Sequence, residues 1–429
     1  MATKDQVNQE LDHLFRRQAG RIVALLTRVF GPAHIDLAET VVQDALLKAV
    51  QTWPLNGIPD NPAGWIMRVA RNKAVDMIRA NRELCADDET LATLAEMQET
   101  PSGDDRTTAL DMEISDDQLR LIFTCCHPVI SHESRVALTL KTVCGFGVRE
   151  IAKAFLTKEE TIAQRLVRAK QKIRDERLPF EFPARGQLAP RLDAVLDTIY
   201  LLFNEGYGAS SGDELIREDI CAEACRLART LAENPALRRP KVQALTALLF
   251  LQASRLKARL DANGEILLLE EQDRSTWDGA MIATGLHYLV EAASGDELSR
   301  FHLFAGIAAC HASAPSFEKT DWQRILAYYD ELCAGDHSPV IALNRAVAVS
   351  FVSGPQAALR ELGKSKNLPA LSDYYLFPAT VADFHRRMGE LSKAIKFYRQ
   401  ALASVRTEPE KRFLLRRLKQ CGHVEPLIT

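Results

Sequence analysis

Apolar residues recur along this chain at spacings of three and four, the period of a helix with one buried face. No run alternates in the way a half-buried strand does, so the pattern predicts an all-α protein. A first helical block spans 8–82, broken at "FGPAH" and by the turn-rich loop "WPLNGIPDNPAG". Residues 83–112 read as a linker: acidic, poor in aromatics, with Pro101, Ser102 and Gly103 near the centre. A second helical block covers 113–178. The Pro-rich stretch "LPFEFPARGQLAP" reads as a hinge, and a third helical region runs over 188–429.

In the second block, "VREIAKAF", the short connection "LTK" and the long segment "KEETIAQRLVRAKQKIRDER" follow the helix-turn-helix layout. Ile162, Leu166, Ala169 and Ile173 paint one apolar stripe on the long helix, while Arg165, Arg168, Lys172 and Arg174 lie mainly off it. Ala152 is small where the two helices must cross. On periodicity alone the basic face suits a solvated helix as well as one that enters the major groove. In the third region, "VADFHRRMGELSKAIKFYRQALAS" places Gly389, Ala394, Tyr398 and Ala401 at the small and aromatic positions of a tetratricopeptide unit. "ALNRAVAVSFVSGPQAALREL" is a more degenerate copy around Gly354. A plain antiparallel helix pair satisfies the same spacing.

Charge sharpens this picture. The net charge of −3 hides an alternation: residues 62–82 hold five basic side chains against one acidic, 83–117 hold twelve acidic against one basic, and 158–177 hold seven basic against four acidic. Two basic helices separated by an acidic tether are arranged to touch polyanion at two places.

Other chemistry is thinly represented. The chain is 47% hydrophobic and 26% charged, an ordinary globular balance. Its nine cysteines keep no repeating frame, which favours free thiols in a reducing compartment. The N-terminus has no apolar core, and "VQALTALLFLQA" is too short to span a bilayer, so a cytoplasmic protein without membrane contact is expected. No P-loop, dinucleotide fingerprint or nucleophile elbow occurs. Cys125, Cys126, His127 and His132 lack the spacing of a zinc site, and Cys221 and Cys225 read as core. No metal, cofactor or catalytic residue is expected, and the protein is not expected to be an enzyme.

"IDLAETVVQDALLKAVQTWP" and "NPAGWIMRVARNKAVDMIR", followed by the helix-turn-helix block, resemble a sigma factor of the extracytoplasmic-function (ECF) type, a small sigma-70-like subunit that keeps only regions 2 and 4. Residues 8–82 resemble region 2 and residues 113–178 resemble region 4. The third region resembles the C-terminal extension of one branch of these factors, on the stretches "YLLFNEGYGAS" and "EQDRSTWDGAMI". The resemblance implies core RNA polymerase (its β′ clamp coiled coil and β flap) and promoter DNA as partners. It further implies that the acidic linker lies near the RNA path of the polymerase, where a merely solubilising tether is the other reading.

What the resemblance implies for single residues rests on position. Glu39, Gln43, Asp44 and Lys48 share one helix face and fall where the family meets the polymerase; ordinary solvent exposure is the alternative. For the minus-10 element the corresponding residues are Arg68, Val69 and Asn72 around a flipped base, Asn56 at the rim, Arg71, Lys73 and Arg79 for charge, and Trp65 as stacking surface or core. Near Asn56 the family often has an aromatic residue that this chain lacks. For the minus-35 element, Thr161, Gln164, Arg165 and Arg168 fall where bases are read, and Lys170, Lys172 and Arg174 where phosphates are held. Many relatives carry a basic residue where this chain has Ala163.

In the extension, Asn204, Glu205, Tyr207, Asp273, Arg274 and Trp277 are singled out as candidates to line a ligand pocket, to dock the extension on the sigma regions, or to fix helix packing through buried hydrogen bonds. The expectation is an alternative sigma factor modulated by its extension. The competing reading is a one-component helix-turn-helix regulator with a ligand-sensing helical domain.

Overall fold

The computed structural model describes residues 19–80, 117–154, 157–183, 185–208, 216–335, 338–364, 371, 374–405 and 407–422. The expected acidic linker lies outside the described residues. All regular structure among the described residues is helical, apart from one isolated bridge between Leu260 and Ile266. The chain divides into two compact units, Met1–Leu202 and Phe203–Thr429.

The first unit opens with α1 (19–30), α2 (Ile35–Asn56) and α3 (Pro62–Ala80). Ile22 and Leu26 of α1, Ala38, Val42, Ala45 and Ala49 of α2, and Ile66, Ala70 and Ala74 of α3 are buried together by their 3–4 spacing. Gly31, at φ 80°, ends α1 in a conformation closed to most residues, and Pro32 starts the short 3-10 turn Pro32–His34. The predicted loop at "WPLNGIPDNPAG" is shorter than expected, because α2 continues through Pro54 to Asn56. Trp53 holds that last turn in place: it is 1% exposed and meets Trp65 of α3 edge-to-face at 5.5 Å. Gly57 (φ 84°) then caps the helix by donating to the Trp53 carbonyl.

The same unit continues with α4 (117–125), α5 (His132–Leu138) and a π-turn over Thr139–Val143, then α6 (Val148–Ala154) and α7 (Glu159–Asp175). Ala152 is buried, and the predicted stripe Ile162, Leu166, Ala169 and Ile173 is the buried face of α7. Glu159 and Glu160 in its first turn and Lys172 and Arg174 in its last complement the helix dipole.

The expected hinge is half helix. α8 (Arg185–Tyr207) begins three residues before position 188 and takes Pro190 inside it. Pro190 forfeits one backbone hydrogen bond near the start of the helix, a modest loss beside the burial of Leu192, Val195, Leu196 and Ile199 further along.

The second unit holds α9 (Glu218–Glu233), α10 (Pro240–Ala253), α11 (Gly279–Ala292), α12 (Arg300–Ser313), α13 (Trp322–Gly335), α14 (Pro339–Val352), α15 (Pro355–Lys364), α16 (Leu376–Arg387), α17 (Leu391–Ser404) and α18 (Glu408–Gln420). α10, the "VQALTALLFLQA" helix, is apolar on nearly every side and is buried by α9, α11 and α12. The predicted repeat is the α16–α17 hairpin: Gly389 turns the chain at φ 78°, and Ala394, Tyr398 and Ala401 pack with Ala379 and Ala382. The α14–α15 pair turns the same way at Gly354 (φ 87°).

Candidate nucleic-acid and polymerase interface

The basic helices α3 and α7 and the polar face of α2 lie within one unit, and the structure brings parts of them into direct contact. On α3, Arg68 and Asn72 are exposed one turn apart with half-buried Val69 between them. Arg71 differs: it is 8% exposed, and one of its amino groups donates to Asn72 Oδ1 at 3.3 Å. Lys73 is exposed and pairs with Asp44 of α2 at 3.1 Å. Asn56 stands exposed at the end of α2, and Trp65 is half-buried on Trp53. Arg79 belongs to α3, but its side chain lies outside the described residues.

On α7, Gln164 and Arg168 are exposed one turn apart, and Thr161 and Arg165 are half-buried. Val167 stands between them at 62% exposure, so the open face is partly apolar. Lys172 donates to Glu176 at 2.6 Å on its own helix.

Lys170 and Arg174 point elsewhere. Lys170 Nζ donates to Asp36 at 2.6 Å and to Glu39 at 2.8 Å, and Arg174 donates to the second oxygen of Asp36 at 3.0 Å. Glu39 also accepts from the Thr142 hydroxyl at 2.7 Å and is only 9% exposed. Burial works against the Lys170 ammonium, yet Glu39 and Asp36 outweigh it and hold its pKa above the ordinary value. Burial likewise pushes the Asp36 carboxyl up, and Lys170 and Arg174 carry it below its ordinary value in the balance. Lys170 and Arg174, expected to hold phosphate, and Glu39, expected at the polymerase face, are therefore drawn into one cluster with Asp36.

Two further contacts fasten α1 within the same unit. Arg28 of α1 reaches Asp117 of α4 at 3.2 Å, and this carboxylate is fully buried and also holds Arg120 at 3.0 Å. α1 crosses the π-turn so closely that a Cβ on Gly20 would lie 1.8 Å from the Val143 carbonyl. No side chain larger than hydrogen fits that crossing.

The outer face of α2 is open. Gln43 and Lys48 are exposed, Leu47 is 56% exposed and Val50 41%. Gln43, Leu47 and Val50 follow at spacings of four and three, the seam by which one helix meets another. Sequence reasoning passed over Leu47 and Val50 because apolar residues in an amphipathic helix are first assigned to its core. Asp36 and Thr142 were missed too; only the fold brings them to α7.

The six candidates of the extension are spread over its first half. Asn204 is exposed and Glu205 half-buried. Arg259 lies over the Tyr207 ring at 3.8 Å and donates to the Tyr207 carbonyl, while Arg255 approaches the same ring at 5.4 Å. Asp273 accepts from the Ser275 amide and hydroxyl and so caps the 3-10 turn Arg274–Thr276. Arg274 lies over Trp277, which is 7% exposed, and donates to the carbonyls of His311 and Ala314 at the end of α12. Tyr207, Asp273, Arg274 and Trp277 thus serve packing and capping within the extension. Cys125, Cys126, Cys221 and Cys225 are buried, and desolvation pushes each thiol up.

Comparison with known proteins gives these elements a class. Residues 14–83 match sigma-70 region 2, residues 120–173 match sigma-70 region 4, and residues 191–293 match a family of unknown function (DUF6596). The chain belongs to the ECF-type sigma-70-like proteins that carry a helical C-terminal extension. It is similar over most of its length to an uncharacterized protein of Rhizobium meliloti (strain 1021), with 39% identity over 386 residues, 89% of each chain. It is also similar to the ECF RNA polymerase sigma factor SigE of Mycolicibacterium smegmatis, with 26% identity over 179 residues, 41% of this chain and 64% of that protein. No solved structure matches. No helix among the described residues is long and apolar enough to cross a membrane.

Proposed function

We propose that this protein is an alternative sigma factor that docks on core RNA polymerase through the outer face of α2, opens and reads the minus-10 element with α3, and reads the minus-35 element with α7. The observation that carries this reading is the presence, in one chain and in the family's order, of two basic helices with open faces, Arg68 with Asn72 and Gln164 with Arg168. The stripe Gln43, Leu47, Val50 supports a helical partner on α2 such as the β′ coiled coil, and the family's β flap is the partner for region 4. The polymerase performs the chemistry, and the chain supplies binding energy and positive charge where the duplex is parted. It acts in the cytoplasm, where polymerase and promoter are.

The contacts of Lys170 and Arg174 with Asp36 and Glu39 give this state a meaning. Both cations can hold promoter phosphate only after leaving α2. Glu39 is freed by the same movement. Engagement of polymerase and DNA is thus coupled to separation of α7 from α2, and the extension modulates activity by shifting that balance. The test is fluorescence anisotropy of labelled full-length protein titrated with bacterial core polymerase. Saturable nanomolar binding that Leu47→Asp weakens at least tenfold supports the reading. Failure of the wild type to bind core sinks it.

A further inference from the structure

The extension contains a pocket that none of the sigma chemistry uses. Its cavity measures about 250 Å³ and lies among α13, α14, α16 and α18. One wall is the segment Leu268–Glu270, held to α18 where Arg416 donates to the Ile266 carbonyl at 2.7 Å and Arg417 pairs with Glu271 at 3.4 Å. The floor is aromatic. Trp322 and Phe351 stack with centroids 4.1 Å apart, and Phe317 meets each of them edge-on at 5.5 and 5.4 Å.

Of the charged side chains that line the cavity, two are satisfied by an opposite charge: Asp383 accepts two bonds from Arg386, at 3.1 and 2.7 Å, and Arg417 has Glu271. Arg387 is not. It is exposed, lies over Phe351 at 4.5 Å and, among the described residues, bonds the hydroxyl and carbonyl of Ser350, at 2.8 and 3.1 Å. Behind Trp322 the imbalance continues. The His311 ring meets Trp322 at 5.3 Å, and burial together with nearby Arg255 and Arg274 pulls its pKa down to about 3, so it stays neutral. Arg255 bonds the side chains of Gln252 and Tyr207, and Arg274 bonds backbone carbonyls and Thr320 with the Glu318 carboxylate nearby. Glu270, an exposed acidic group of the lining, has no cation partner among the described residues. An apolar floor edged by a guanidinium, Arg387, that bonds neutral oxygens favours a ligand with a flat apolar body and one negative charge.

We propose that this pocket binds a small amphipathic anion, an aromatic or otherwise flat apolar molecule whose carboxylate, sulfonate or phosphate meets Arg387 while its body lies against Trp322 and Phe351. The anion supplies the charge that Arg387 lacks, and the stacked rings supply apolar contact.

The experiment uses full-length protein and two fluorescent probes of like shape, the anionic 1-anilinonaphthalene-8-sulfonate and the uncharged N-phenyl-1-naphthylamine. The reading is carried by the difference between them. The anionic probe should saturate one site with quenching of tryptophan emission. Arg387→Gln should weaken it about tenfold, the loss of one charged hydrogen bond, while the neutral probe shifts by less than about twofold. Arg387→Lys should restore part of the anion's affinity, Phe351→Leu should weaken both probes, and Glu270→Gln should tighten the anion alone. Circular dichroism melting of each variant separates lost binding from lost folding. Equal effects of Arg387→Gln on both probes, or anion binding that never saturates, would overturn the proposal. The readout is binding alone, so it does not depend on the transcription function.

Discussion

Among single residues, Lys170 carries the most information, because it is where two expected functions meet. Its ammonium is mostly buried between Asp36 and Glu39. Lys170→Met would strand Glu39 in the interior, and a loss of roughly 3 kcal/mol in the first unit's stability is expected by urea unfolding. A combined Glu39→Gln and Lys170→Met protein should recover part of that loss. The pH dependence has a definite sign. Asp36 is held below its ordinary 3.8, so its contribution is present above that value and is lost as pH falls through the lowered one. Lys170 is held above its ordinary 10.5, so its contribution is full below that value and is lost as pH rises past the raised one. The stability difference between wild type and Asp36→Asn should therefore be flat between roughly pH 5 and 9 and shrink below about pH 4. It should stay below about 1 kcal/mol, because Asp36 is half exposed and solvent screens it.

At the scale of elements, α7 shows both what a sequence reveals and what it hides. Ile162, Leu166, Ala169 and Ile173 were legible because a helix that buries one face must repeat at 3.6. The Gly389 turn and the packing of Ala394 and Tyr398 were legible for a similar reason, since close helix approach demands small residues at fixed spacing. The pairing of Lys170 with Glu39 was not, because it joins positions 131 apart that periodicity treats independently. Nor was the start of α8 at Arg185, where later burial offsets the proline. Two outcomes belong here. Asp36→Asn with Glu39→Gln loosens α7 without touching its exposed residues Gln164 and Arg168, and should raise affinity for a minus-35 duplex by roughly three- to tenfold at low salt. An unchanged affinity would show that the contact does not restrain α7. Tyr398→Ala, at a fully buried position of the α16–α17 hairpin, should destabilise the extension by roughly 3–5 kcal/mol while leaving duplex binding intact.

For the whole molecule, the structure alters where the chain should be cut. Arg191 of α8 donates to the Phe123 carbonyl at 2.8 Å and Thr124 reaches Pro179, so residues past the helix-turn-helix belong to its unit, which ends at Leu202. A truncation after Leu202 keeps those contacts, whereas one after Arg177 removes them. The extension's sign can then be read without damaging region 4. Deleting the second unit should leave core binding within about threefold, since α2 and α3 are complete without it, and should change the yield of specific transcripts. A pocket for an amphipathic anion in that unit would give the proposed modulation a chemical input.

The most direct test is transcription reconstituted from purified bacterial core polymerase, this protein and fragmented genomic DNA, with the starts mapped by sequencing. The account predicts starts that require the full-length protein, share sequence near positions −10 and −35, and disappear with Leu47→Asp or with Arg68→Ala combined with Asn72→Ala. If core polymerase makes no new starts while the protein alone binds duplex DNA tightly, the sigma account is contradicted and a ligand-sensing regulator takes its place.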